Sequence, residues 1–143
     1  MKFKLITIVG LITLLFATSC KKNKSNPAFS KDAEVFIISP SDGETLSNPI
    51  TVKFGVKGIE IAPAGSEIAH SGHHHLFIDV TEMPDMKVAL PANDNIKHFG
   101  KGQTETSIEL APGEHTLQLV MGDKNHTAHA PPVISKKIKI TVK

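Results

Sequence analysis

Short stretches whose apolar side chains recur at every second residue, turn-forming residues between them, and no span with a sustained helical period predict an all-β fold. About seven such stretches point to an immunoglobulin-like antiparallel β-sandwich, with a small barrel of the same strand count as the structural alternative.

The chain opens on a different signal. Lys2 and Lys4 form a short cationic start, Leu5 to Phe16 is an almost unbroken apolar run, and Ala17-Thr18-Ser19 places small residues ahead of Cys20. Residues 1–19 are therefore read as a bacterial export signal, too short to span a bilayer comfortably. Small residues directly before a cysteine resemble the lipobox of bacterial lipoproteins, although Ala17 stands where Leu is usual. Cys20 is expected to carry the lipid, which puts the protein in the cell envelope, anchored to a bacterial membrane and facing the periplasm or the exterior. It is the only cysteine, so no disulfide forms within the chain and an exported domain has to stand on its core.

Residues 20–33 are polar and lysine-rich and read as a flexible tether; residues 34–143 are expected to be the folded domain. In that domain Val35 to Ser39 is a short apolar strand stopped by Pro40, and Ser41-Asp42-Gly43 turns the chain before Glu44-Thr45-Leu46. Ile50, Val52, Phe54 and Val56 alternate with polar or small residues, as in a strand with one buried face. After Gly58-Ile59-Glu60-Ile61 comes Ala62-Pro63-Ala64-Gly65, a loop leading to a strand in which Leu76, Ile78 and Val80 alternate. Met83-Pro84-Asp85-Met86 turns the chain, Lys87 to Leu90 is expected as a short edge strand, and Pro91 opens a loop that runs through His98 to Gln103. Alternation resumes at Thr106, Ile108 and Leu110. After the Pro112-Gly113 turn comes the series His115, Leu117, Leu119 and Met121, followed by a polar loop with His126 and His129 and a last strand carrying Ile134, Ile138, Ile140 and Val142. Val52, Phe54, Leu76, Ile78, Ile108, Leu117, Leu119, Ile138 and Ile140 are the expected core.

Charge and composition narrow the function. The formal net charge of +2 comes from Lys2 and Lys4; without them 14 lysines face 14 acidic residues. A nucleic-acid binder needs a concentrated cationic face, so that class is set aside. With no Arg, Trp or Tyr, the chain also lacks the usual residues for bidentate phosphate capture and for stacking sugars.

Histidine is where the composition is unusual: there are eight, and four of them lie between His70 and His75. His73 and His75 share one face of their strand, about 6.6 Å apart along it, a separation from which two imidazoles converge on one ion. His74 falls on the face of the aliphatics and is expected to be a hydrogen-bonded inner residue. Zinc or copper needs further ligands, and His98, His115, His126 and His129 come from strand ends or loops that a sandwich gathers at one end. Met83, Met86 and Met121 would add soft sulfur if copper is the metal. A hydrolytic triad is disfavoured: His75 and Asp79 share a face but stand about 13 Å apart along the strand, and no Gly-x-Ser-x-Gly elbow is present.

Four motifs in order, Gly72-His73-His74-His75-Leu76, His98-Phe99-Gly100-Lys101-Gly102-Gln103-Thr104-Glu105, Pro112-Gly113-Glu114-His115-Thr116-Leu117-Gln118-Leu119 and Gly122-Asp123-Lys124-Asn125-His126, resemble a bacterial family, Domain of Unknown Function 4399, over about Ile50 to Val142. The resemblance implies an exported domain of this size and transfers no activity. Three readings stay open: an envelope lipoprotein that binds Cu or Zn through His73, His75, His98, His115, His126 and His129; a non-catalytic module that meets an envelope protein and whose histidines are structural; and a small metallohydrolase. The expectation is that the protein is not an enzyme.

Overall fold

The computed structural model describes residues 32–143, so the export signal, Cys20 and all but the last two residues of the expected tether lie outside the described residues. Nine strands and no helix make up that part: β1 Glu34–Ser39, β2 Glu44–Leu46, β3 Ile50–Lys57, β4 Glu60–Ile61, β5 Ser71–Ile78, β6 Ile96–His98, β7 Glu105–Ile108, β8 Gly113–Gly122 and β9 Ile138–Val142. They form a sandwich of two sheets. One has the order β1-β3-β7; the other runs β2-β9-β8-β5-β4, with β6 also paired to β5. The long strands follow the immunoglobulin pattern, in which the first, second and fifth positions share one sheet and the third, sixth and seventh the other. Two short pairings, β2 with β9 and β4 with β5, are parallel; the rest are antiparallel.

The alternating residues face one another across the sandwich as the period demands. All nine expected core residues belong to one cluster with Val35, Ile50, Phe99, Met121, Val133 and Val142, and Val52, Leu76, Leu117 and Leu119 have no exposed surface. Burying a side chain of this kind contributes roughly 1.5–3 kcal/mol relative to leaving it in water.

The alternation of Leu76, Ile78 and Val80 implies one buried and one solvent face for this strand, and β5 differs from that. Every residue of β5 is buried, because its outer face is roofed as well. Phe77 and Val120 project outward from β5 and β8 and pack with Leu90, Ile96 and Ala128 into a second cluster, edged by Val80 and Met86. The roof consists of the segments after β5 and after β8. Lys87 to Leu90 does not form the expected edge strand; only an isolated bridge joins Ala89 to Thr127. The supposed loop after Pro91 instead contains β6, which pairs antiparallel with β5 so that Ile96 opposes Phe77 and His98 opposes His75. Ile134 is partly exposed and bridges Val120 before β9 begins.

Candidate metal centre

The centre is built on the outer face of β5, under the roof. His73 and His75 point there together, 0% and 1% exposed, with ring centroids 4.9 Å apart. The antiparallel register sets His98 of β6 directly across from His75, and its ring lies 5.0 Å from that of His75 and 4.9 Å from that of His73. His126 arrives from the turn after β8, its ring 4.7 Å from His98 and 5.2 Å from His73. One nitrogen from each of the four rings lies within 4.8 Å of the others, and no carboxylate belongs to the group.

Local chemistry explains how residues 53 positions apart in the chain meet. In the turn Asp123-Lys124-Asn125-His126, the Asp123 carboxylate accepts hydrogen bonds from the amides of Asn125 and Thr127 at 2.8 and 2.9 Å, and the His126 amide donates to the Asp123 carbonyl at 2.9 Å. Asp side chains favour such turns because they reproduce a backbone acceptor. His126 itself has φ of 66°, a left-handed conformation costly for a non-glycine residue unless its surroundings enforce it. The enforcement is visible: Leu90 donates its amide to the His126 carbonyl at 2.9 Å. The loop before β5 ties both outer ligands together. The Ala64 amide donates to Gly100 O at 2.9 Å beside His98, and the Gly65 amide to Lys124 O at 3.0 Å beside His126. Lys124 also reaches both carboxylate oxygens of Glu67 at 2.7 Å.

Burial keeps the inner imidazoles neutral. Desolvation, aided by the neighbouring rings of His98 and His126, lowers His73 to about 4 against a weak pull upward from Asp123. Desolvation and the same crowd of rings, with His73 the nearest, lower His75 to about 3. His98, more exposed, is lowered by desolvation and then by His126. Near pH 7 these rings hold free lone pairs, the state a metal requires.

Hydrogen bonding does not account for this arrangement. Nδ1 of His73 and Nδ1 of His75 are fully buried and have no hydrogen-bond partner. A buried polar atom left this way costs about 1–3 kcal/mol, so its retention asks for a reason. The one direct contact inside the cluster, His126 Nδ1 to His73 Nε2, is 3.3 Å long. That is long for an N–H donor on a nitrogen acceptor, but it matches the edge of roughly 3.3 Å between two nitrogens bound at 2.0–2.1 Å to one tetrahedral ion.

Glycines leave the rings their space. A Cβ on Gly122, opposite His73 in the ladder, would lie 2.6 Å from Cε1 of His75, and one on Gly100 would lie 2.3 Å from Cε1 of His98. Sequence reasoning about the ligands did not use either glycine.

The structure thus brings together four of the six expected ligands. His115 is not among them. Seven residues before Gly122 on β8, roughly 24 Å along the strand, it pairs with Ile140, and its Nδ1 lies 2.6 Å from Asp79 and its Nε2 2.8 Å from Ala111 O. A shared strand parity with the aliphatics does not bring a residue to the same end. His129 is buried but stands apart from the four, its Nε2 only 2.8 Å from where a Cβ on Gly72 would be. Of the expected sulfur ligands, Met121 is in the main core and Met83 is exposed, while Met86 edges the second cluster on the same outer face as the centre. His74 does face inward, its Nδ1 3.2 Å from Gln103 O and its ring 4.9 Å from Phe54.

Among the described residues, no helix is long and apolar enough to cross a membrane. No curated protein and no solved structure matches the chain. The model of one family, described as a domain of unknown function (DUF4399), matches residues 52–143, a span that includes every histidine of the centre. The match covers more than half of the sequence, and the chain belongs to the DUF4399 family.

Proposed function

We propose that this protein is a cell-envelope lipoprotein, held at the membrane through Cys20, whose domain binds one Cu(II) or Zn(II) ion through His73, His75, His98 and His126. The observation that carries the reading is the convergence of four imidazoles, one nitrogen of each lying within 4.8 Å of the others. All-nitrogen ligation suits both ions, and nothing in the group favours Cu(I), which prefers thiolate or thioether sulfur. The widest nitrogen separation, 4.8 Å, exceeds a coordination edge, so the rings close on the ion. His98 is exposed and His126 half-buried, and these two have the freedom to supply that motion.

Four imidazoles fill a tetrahedral shell, whereas catalytic zinc keeps one position for water. The centre is therefore read as holding an ion rather than turning over a substrate. Neutral ligands leave the ion's charge uncompensated within the group, which suits reversible loading.

Calorimetric titration of the full-length chain with Cu(II) and with Zn(II) at pH 7.5 tests the proposal. Binding of one ion per chain is expected. If neither ion binds more tightly than about 10 μM, roughly −7 kcal/mol, the proposal is abandoned and the histidines are structural.

A further inference from the structure

Glycine costs conformational entropy unless something needs its missing side chain, and Gly122 at the end of β8 and Gly100 in the turn after β6 stand beside the histidines with no backbone reason to be there. Gly43, Gly58, Gly65, Gly102 and Gly113 have positive φ; Gly100 and Gly122 do not, so their conformation is open to any residue. What sets them apart is what lies above them.

On Gly122 a Cβ would meet Cε1 of His75 at 2.6 Å, Nδ1 of His75 at 3.1 Å and Nε2 of His73 at 3.3 Å. On Gly100 it would meet three atoms of one ring, Cε1, Nε2 and Nδ1 of His98, at 2.3, 2.6 and 3.3 Å. Ordinary contact begins at 3.4 Å, so the His75 ring would have to retreat by about 0.8 Å and the His98 ring by about 1.1 Å. His75 has no slack, since its strand is buried on both faces. His98 has solvent on one side, but turning into it takes the ring away from the other three.

We infer that Gly100 and Gly122 are positioning residues of the metal centre: the absence of a side chain at each lets the His98 and His75 rings lie against the backbone, where the four imidazoles converge. The inference rests on the metal-binding reading above. The same packing occurs away from the centre, where the Phe36 ring lies over Gly55, its Cε2 2.3 Å from where a Cβ would be. A purely structural aromatic-on-glycine contact is thus the competing explanation, and the experiment separates the two.

Gly122→Ala and Gly100→Ala are compared with the parent full-length chain by competition against a chromophoric chelator for Cu(II) and Zn(II), by the nitrogen hyperfine pattern of bound Cu(II), and by urea unfolding of chelator-treated protein. Each variant is expected to lose at least tenfold in affinity and to show fewer coordinated nitrogens. Because Gly122→Ala could also disturb folding, the change is repeated in a His75→Ala background. With that ring gone, adding the methyl at 122 should leave the urea midpoint of the metal-free protein unchanged. If the parent binds an ion and both alanine variants bind it equally tightly with an unchanged hyperfine pattern, the positioning role is overturned and the metal centre stands. If Gly122→Ala lowers the urea midpoint to the same degree with and without the His75 ring, the steric account is overturned too. If the parent binds neither ion, the metal reading falls and takes this inference with it.

Discussion

His75 and His98 oppose each other across the β5–β6 ladder, one ring 1% exposed and the other at the surface, with centroids 5.0 Å apart. The inner ligands are fixed by a doubly buried strand, the outer ones by a three-residue strand and a turn. The expected ligand roles are therefore unequal. His75→Ala should abolish tight Cu(II) or Zn(II) binding, and His98→Ala should weaken it by ten- to a hundredfold, while His115→Ala leaves affinity within about twofold because that ring is paired to Asp79. Chelator competition on the three variants measures this; loss of binding in His115→Ala would show that the ligand set is wrong.

The bare Nδ1 atoms give a second expectation. Buried polar atoms without hydrogen-bond partners cost stability, so replacing His73 and His75 together by Leu in metal-free protein should raise unfolding stability by about 1–3 kcal/mol. A hydrogen-bonded structural cluster would instead lose stability. Urea unfolding with chelator present distinguishes the two by sign.

The main core was legible in the sequence because each strand has one alternating face: Val52 and Phe54, Leu76 and Ile78, Leu117 and Leu119, and Ile138 and Ile140 all landed in it. The roof was not, yet it left a trace. Leu76-Phe77-Ile78 and Leu119-Val120-Met121 are unbroken apolar triplets, the mark of strands covered on both faces, and alternation alone overlooks it. Truncating the odd-face residue, Phe77→Ala, should cost about 3–5 kcal/mol, comparable with the 2–5 kcal/mol expected for Leu117→Ala in the main core. A loss under 1 kcal/mol at Phe77 would mean the roof is loosely packed.

For the ligands, strand parity was enough to pair His73 with His75, since that depends on two adjacent repeats. It did not separate His126 from His115 or His129, because which end of the sandwich a residue reaches depends on strand direction and on where each turn folds back. Asp123 carried the missing signal: an Asp directly after a strand and three before a histidine builds the turn that returns His126 to β5.

Anchoring is tested independently of the domain. If Cys20 carries the lipid, a Cys20→Ser variant should be processed differently and leave the membrane fraction. An unchanged distribution between membrane and soluble fractions would remove the lipoprotein assignment without touching the metal centre.

The pH dependence of metal-free stability should have two limbs of opposite cause. Asp79 accepts from His115 Nδ1 at 2.6 Å and Ala111 O lies 2.8 Å from Nε2, so both ring nitrogens face acceptors and the imidazolium is favoured. The hydrogen bond to Asp79 raises the His115 pKa above 6.5, with burial opposing it weakly. A base whose folded pKa is raised contributes stability in full below its unfolded value of 6.5, and that contribution is lost as pH climbs through the folded value. The buried imidazoles act the other way. His74 and His73 are lowered to about 4 and His75 to about 3, each chiefly by desolvation, so between those values and 6.5 the unfolded chain binds protons that the folded one does not. Stability falls there as pH is lowered, by up to about 1.4 kcal/mol per pH unit for each histidine. Urea midpoints of chelator-treated protein from pH 4 to 9 should therefore peak near neutrality. His115→Gln should remove the decline on the alkaline side and keep the acid one. An acid limb that survives unchanged in His73→Leu/His75→Leu would show that these rings are not the buried neutral bases described here.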